Sequence, residues 1–553
     1  MSASSKKKLR KEMAASKMTE RQQKEQAEAK KLKRISVAFV AIMLVVALLA
    51  GSILVTRAVN QSGYFEKNTI AATVGEHELT TVEVNYYFTD YVRSIYQQWY
   101  NQYGTSINMY MSFMGLDLNK PLDRQVYDAK TGQTWAEFFL ESALEKARTD
   151  YALYDKAMAD KDFKLSEDDQ KNLDAMGDTL DLYAMYFGYK NADKYLGATY
   201  GWGSDVNSYV NYNKVSTIAN AYYTQYSDSL KYEDEDIRKY EEENYDKYTS
   251  FTYNSYYVSI TSYLPSGVTS SKATAEQRAE AVKKAEEVAK DLAGAEDLVK
   301  LDEAIKALPI NKDNKNAATT KNTGVLYTAL NLSDAAKDWL SDDAREYDDI
   351  AYFVDESTST DADGKETKTV NGYYVIGYMS HDENLRKLAS VRHLLVKFEG
   401  GTTDSSGNKT YSKEEKAAAK LEAERLLEVW KKGKATEETF INMVKEYSDD
   451  SSKDSGGLFE GIHTNSSYVD SFKAWSLDTA RKPGDTGVIV SDFGYHVMYY
   501  VKDGDLTYRD YMITEDLRTA DVEKWYKGII DTVKITPANT NRVNTDMIIS
   551  QIV

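Results

Sequence analysis

The sequence predicts an α+β protein with one N-terminal membrane helix, a helical region, two mixed modules built alike in tandem, and a C-terminal helix. Three observations carry that reading. Residues 35–56 contain no charge at all. Residues 66–250 place apolar side chains mostly at helical spacing. A pattern around Trp339 recurs around Trp475, at an offset of 136.

The N-terminus comes first. Residues 1–34 hold nine Lys and three Arg against four Glu, and the uncharged run of 22 residues that follows ends at Arg57. Such a run is long enough to span a bilayer as a helix. A basic flank stays in the cytoplasm, so everything after Arg57 is expected outside. We therefore expect a cytoplasmic segment at 1–34, a transmembrane helix at 35–57 and an extracytoplasmic main body at the cell membrane. A cleavable signal peptide is the rival reading, with small residues at Ala50-Gly51-Ser52. The long leader and the long apolar run argue against it, because signal h-regions are shorter.

The net charge is −18 although the N-terminal segment is strongly positive, so the exterior is acidic. That argues against nucleic acid as a partner, since its recognition requires basic patches. The chain has no Cys. Disulfides, thiolate metal sites, cysteine nucleophiles and a lipidated cysteine anchor are thereby excluded.

Within 66–250, a small strand and turn are expected at 72–80. A helix opens near Val84 and reaches Tyr103, and others cover 134–158, 166–176 and 233–248. Ser166 with Asp169 three residues on is an acidic variant of a capping box. Tyr91, Ile95, Trp99 and Tyr103 make one helical stripe, which reads as core packing. The alternative is a groove of amphipathic rings that holds extended peptides.

The internal repeat sets the rest. Trp339-Leu340-Ser341-Asp342-Asp343-Ala344-Arg345 matches Trp475-Ser476-Leu477-Asp478-Thr479-Ala480-Arg481. The same offset lays Tyr257 over His393 and Asn314 near Asp450. Further on, an offset of 122 lays Gly372-Tyr373-Tyr374 over Gly494-Tyr495-His496. The slip falls in the polar stretch 357–369, expected as an exposed loop. Residues 251–380 and 385–505 thus read as two copies, the first with Tyr257 and Tyr374 where the second has histidines. The first copy is either a spacer or a peptide-binding platform.

His393-Leu394-Leu395-Val396-Lys397, Tyr447-Ser448-Asp449-Asp450-Ser451, Gly456-Gly457 and Phe493-Gly494-Tyr495-His496 follow one another in the second copy. That order resembles the parvulin family of peptidyl-prolyl isomerases. The whole layout resembles the SurA/PrsA-type extracytoplasmic foldases. The resemblance implies a helical chaperone domain at 66–250, a degenerate parvulin-like domain at 251–380 and a parvulin isomerase domain at 385–505. A C-terminal helical segment at 506–553 would return to complete the chaperone domain. It further implies a catalytic group of His393, Asp450 and His496, the histidines as a hydrogen-bonded pair and Asp450 as an electrostatic group. Phe459, Tyr468 and Phe472 would line a proline pocket, with Ser491 near the substrate backbone. No metal or cofactor is implied.

Three departures touch the pocket: Leu458-Phe459-Glu460-Gly461 follows Gly-Gly where the family shows an acidic residue, Leu and Gly, Tyr468 stands where Met is common, and the spacing from Ile462 to Phe472 is one residue longer. Taken singly, a strand histidine is more often a core residue. The remaining histidines, His77, His381 and His463, show no metal spacing and read as surface residues. Asp449-Asp450 as a hydrolytic or calcium pair is the weaker reading of adjacent acids. The loop 398–412 holds one Lys and no Arg, which argues against phosphorylated substrates. Expected partners are unfolded exported polypeptides and the membrane, and pairing into a homodimer is left open. The alternative function is a catalytically inactive holdase or a cell-envelope scaffold.

Overall fold

In the computed structural model, which describes residues 2–15, 20–360, 365–404 and 407–546, a single helix Glu20–Gln61 runs from the basic segment through the uncharged stretch. Its part Glu28–Gln61 is long and apolar enough to cross a membrane and is not buried by the rest of the chain. The chain divides into two compact units, Met1–Leu230 with Asp521–Val553, and Lys231–Ala520.

In the first unit, the helices Thr81–Tyr103 and Trp135–Ala159 each begin at a capping box, Thr80 with Glu83 and Thr134 with Glu137. Their apolar faces bury Phe88, Trp135 and Phe139 in one core. Tyr91, Ile95 and Trp99 pack against that core, and Tyr103 stacks on Tyr110 at 4.1 Å, so the stripe is a packing face. Ser166 caps Glu167–Asp174 through the Asp169 amide at 3.0 Å. Three further helices follow, Met176–Tyr186, Ala192–Tyr200 and Val206–Ser229. A three-stranded antiparallel sheet closes the unit, in the order Ile535–Pro537, Ile70–Val74, His77–Thr80. Its outer strand comes from the C-terminal segment, pairing Ala72 with Pro537.

The helix expected over 233–248 is shorter. It spans Asp234–Glu243 and breaks at Asn244, whose side-chain amide bonds back to the Tyr240 carbonyl at 2.9 Å. It lies in the second unit, not the first, because Ile237 buries against Tyr248 and Ile513. Arg509, 1% exposed, ties this corner together by donating to Glu241, to the Tyr245 carbonyl (2.7 Å) and to the Glu383 carbonyl (3.3 Å).

Two four-stranded antiparallel sheets in this unit share one plan. The first is built from Ser250–Ser259, Thr320–Leu326, Ile350–Thr360 and Glu366–Asp382, and the second from Lys387–Lys397, Leu458–Ile462, Thr486–Val490 and Gly494–Thr507. Each lies in the spatial order second, first, fourth, third. Two helices follow the first strand of each, and a short one follows the second. Local contacts repeat as well. Arg345 lies 5.2 Å over the Trp339 ring and 3.2 Å from Asp342, while Arg481 lies 4.5 Å over Trp475 and 3.2 Å from Asp478. The Tyr378 amide donates to Asp349 and the Tyr500 amide to Asp485, both at 2.8 Å.

Strand register corrects the sequence alignment at one position. Ser255 faces Ile376 as His393 faces Met498, whereas Tyr257 faces Tyr374 directly. With Gly372 aligned on Gly494, Tyr374 occupies the place of His496, but Ser255 takes the place of His393. Asn314 lies in an exposed turn. In the stretch 357–369 the described residues other than Lys365 are strand rather than loop, while 361–364 lie outside the described residues. Ser357 to Thr360 pair with Glu366 to Thr369 and lengthen a hairpin, as its alternating Ser and Thr residues favour.

Candidate active site

The strand Lys387–Lys397 is covered on both faces, which explains apolar residues at both odd and even positions. Leu394 turns to the side of Ala423, Leu427 and Phe440 from the two helices, while Ala389 and Val391 turn to Phe472, Met498 and Tyr500. His393 shares the second face. Because Met498 is its direct partner on Gly494–Thr507, His496 stands two residues away on the same face. Diagonal neighbours of this kind are within reach of long side chains. The rings stack 5.2 Å apart and their Nδ1 atoms are 3.0 Å apart.

Backbone geometry holds this face in place. Gly457 carries φ +65°, and its carbonyl accepts from the His393 amide at 2.9 Å. A Cβ there would lie 2.1 Å from the His393 carbonyl oxygen, so only glycine fits. Arg392 donates to Glu437 (2.8 Å) and to the Gly456 carbonyl (3.1 Å), anchoring the Gly-Gly turn from the other face.

Asp450 caps the short helical turn Ser451–Ser455. Its Oδ1 accepts from the Ser452 amide (2.9 Å) and hydroxyl (2.6 Å) and lies 3.4 Å from His393 Nε2. Asp449 points elsewhere and accepts from the Lys397 amide at 3.0 Å, so the two acids do not form a pair. Ser491 Oγ lies 2.7 Å from His496 Nε2 and accepts from the Phe493 amide at 3.1 Å. Above the imidazoles, Phe459 and Phe472 stand edge-on to His393 at 4.9 and 5.5 Å, with Tyr468 5.4 Å from Phe459 and 5.3 Å from Phe472. All seven residues singled out in the sequence therefore meet at one place.

Residues 374–503 match the family model of the PPIC-type PPIase domain. This segment is a parvulin-type peptidyl-prolyl isomerase domain. Comparison with curated proteins gave no match. Among solved structures, PrsA from Bacillus subtilis is similar at 20% identity over 30% of this chain and 56% of that chain, with a TM-score of 0.19. PrsA from Bacillus anthracis is similar at 18% identity over 27% and 59%, TM-score 0.16. A SurA-like chaperone from Campylobacter jejuni is similar at 20% identity over 26% and 50%, TM-score 0.15. The chain spans about half the length of each of these three.

Charge fixes the direction of the hydrogen bonds in the isomerase domain. A neutral imidazole has one N–H and one lone pair. His393 Nε2 is buried and faces the Asp450 carboxylate at 3.4 Å. A lone pair there would be repelled, so Nε2 carries the proton. His393 Nδ1 then accepts from His496 Nδ1–H, and His496 Nε2 accepts from the Ser491 hydroxyl. His393, and then the two Ser452 donors, hold the Asp450 carboxyl well below the usual carboxylate range against the opposing effect of burial. Burial, reinforced by the neighbouring His393, pushes His496 down to about 4.

Sequence reasoning missed Ser452 and Ser448. The Ser448 hydroxyl accepts from the Leu395 amide (3.1 Å) and the Asp450 amide (3.2 Å), steering Asp450 toward His393. The signal was an Asp with a Ser two residues later, the pattern of a capped turn. Two histidines read as surface residues are half-buried. His77 meets Asp155 at 2.9 Å, and His463 stacks on Tyr508 at 3.9 Å.

Proposed function

We propose that the chain is a membrane-anchored extracytoplasmic foldase that isomerises X–Pro bonds in unfolded exported polypeptides. The observation that carries this is the line Asp450, His393, His496, Ser491 beneath the rings of Phe459, Tyr468 and Phe472. Amide resonance gives the C–N bond a rotation barrier of about 18–20 kcal/mol. The X–Pro cis form is only slightly disfavoured, yet exchange is slow. Catalysis requires the twisted bond to be stabilised relative to both planar forms. The three rings would hold the pyrrolidine while the amide turns. The planar amide carries partial negative charge on its carbonyl oxygen, and this charge falls as resonance is lost. A fixed Asp450 carboxylate beside that oxygen would disfavour the planar state and lower the barrier. The histidines and Ser491 would act as positioning residues that keep Asp450 ionised and the floor rigid.

The sheet of residues 250–382 repeats the plan of the isomerase domain without its histidines, and we read it as a degenerate copy. The exposed Tyr257 and the half-buried Tyr374, 4.8 Å apart, would offer it a peptide-binding face. The helical unit would serve as the chaperone domain and residues 35–57 as the anchor, with the N-terminus cytoplasmic.

The test is a cis/trans assay on an unphosphorylated X–Pro peptide with the full chain in nanodiscs, beside Asp450→Ala and His393→Ala. Acceleration that both folded variants lose supports the reading. Wild-type rates from a folded Asp450→Ala protein would remove Asp450 from the mechanism. No acceleration by the wild type leaves the holdase.

A further inference from the structure

The helix Met176–Tyr186 ends in a turn that is unusually apolar for a surface. Tyr183, Met185, Tyr186, Phe187 and Tyr189 are all exposed, Tyr186 by 82% and Met185 by 71%. The turn is nevertheless ordered by packing. Phe187 stacks on Tyr195 with 4° between the rings, and Tyr189 meets the same ring edge-on at 5.7 Å. Tyr195 belongs to the helix Ala192–Tyr200.

That helix sits where the membrane helix ends. Asp193, Lys194 and Gly197 line a cavity of about 500 Å3 together with Gln61, Ser62 and Trp202. A Cβ on Gly63 would lie 2.1 Å from the Gly203 Cα, so the two backbones touch. Lys67 and Asp205 form an ion pair at 2.6 Å that fastens the same junction. Trp202 itself is half exposed.

Distances along the chain put this junction at headgroup depth. Gln61 lies five residues past Thr56, about 7.5 Å of helix rise. The polar layer on each side of the hydrocarbon is about 5–8 Å thick. Tyr189 is four residues before Asp193, so its Cα is within ~14 Å of the cavity wall. Charges of both signs surround the turn, with Asp178, Asp181 and Asp193 beside Lys190 and Lys194. The recognition is therefore not electrostatic. Tyr, Trp and Phe are the side chains that settle at membrane interfaces.

We propose that the turn at residues 183–189, with Trp202, rests in the headgroup layer of the bilayer that the helix Glu20–Gln61 crosses. The proposal rests on the membrane-anchor reading. The contact would hold the first unit against the outer leaflet as a second, reversible foothold beside the helix.

The chain has no Cys, so single labelling sites can be introduced cleanly. Full-length Val45→Cys, Met185→Cys and Tyr186→Cys proteins would carry an environment-sensitive fluorophore in phosphatidylcholine nanodiscs, with and without spin-labelled lipid. We expect blue-shifted emission at all three sites, and lipid quenching at 185 and 186 at least half that at 45. Raising the salt should leave the quenching unchanged. Quenching at 45 with water-like emission at 185 and 186 overturns this proposal and keeps the anchor. Blue-shifted emission at 185 and 186 without lipid quenching also overturns it, pointing to a protein occupant. Loss of quenching at 45 removes the anchor and the proposal with it.

Discussion

Acidification should loosen the isomerase domain through His496 before any carboxylate is neutralised. In the unfolded chain this imidazole takes its proton near 6.5, but in the folded domain burial and His393 delay it to about 4. Between those values the unfolded state binds more protons, so stability falls as the pH falls. Going from about pH 7.5 to about pH 5, the loss is ~2 kcal/mol, approaching ~3 kcal/mol near pH 4. The ring is 6% exposed, so solvent screening reduces this little. Asp450 adds nothing in that window, because its depressed titration acts only below the ordinary carboxylate value. Hydrogen exchange at Val497 and Met498, corrected for the intrinsic pH dependence of exchange, reads the local change. Ring NMR is practical with only five histidines in the chain. A His496 ring that titrates near 6.5, or protection unchanged at about pH 5, would refute the reasoning that burial keeps it neutral.

Ser491→Ala should leave His496 Nε2 buried without a donor, costing about 1–3 kcal/mol in denaturant unfolding and slowing isomerisation. Ser491→Thr, which keeps the hydroxyl, should restore both. Gly457→Ala should destabilise the domain by at least ~2 kcal/mol, since left-handed strain adds to the clash with the His393 carbonyl; thermal unfolding checks it. Arg509→Met should cost about 3 kcal/mol by stranding Glu241 and two backbone carbonyls, with exchange rising first along the helix Asp234–Glu243. An unchanged protection pattern there would mean the buried guanidinium does not bind that corner.

The candidate site was legible because it rests on short motifs carried by strands. His393 and His496 announce themselves in apolar runs, and the Gly-Gly pair marks the turn that must approach them. Sheet register was not legible. The offset that matches Trp339 to Trp475 carries Tyr257 onto His393, but the connection from the first strand to Trp339 is longer than the one to Trp475, so Ser255 stands there instead. Ser448 and Ser452 were overlooked because small hydroxyls that aim another side chain have no periodicity of their own. The helices between Met176 and Ser229 blur in sequence because Tyr is spread around their faces. Their boundaries are set by Asn191 and Asp205 as N-terminal caps.

The pairing of Ile70–Val74 with Ile535–Pro537 constrains the order in which this molecule can assemble itself. Chains emerge from the ribosome N-terminus first, and their domains fold as they appear. The sheet of the isomerase domain is complete once Thr507 has emerged, whereas the first unit still lacks its C-terminal part from Asp521 onward, including the outer strand. Until that strand arrives, Ile70–Val74 offers an open edge, the kind of template that recruits foreign strands. The unit that begins the fold is thus among the last to be sealed, by a strand lying beyond the catalyst. Interrupted synthesis would leave a working isomerase attached to an unsealed neighbour.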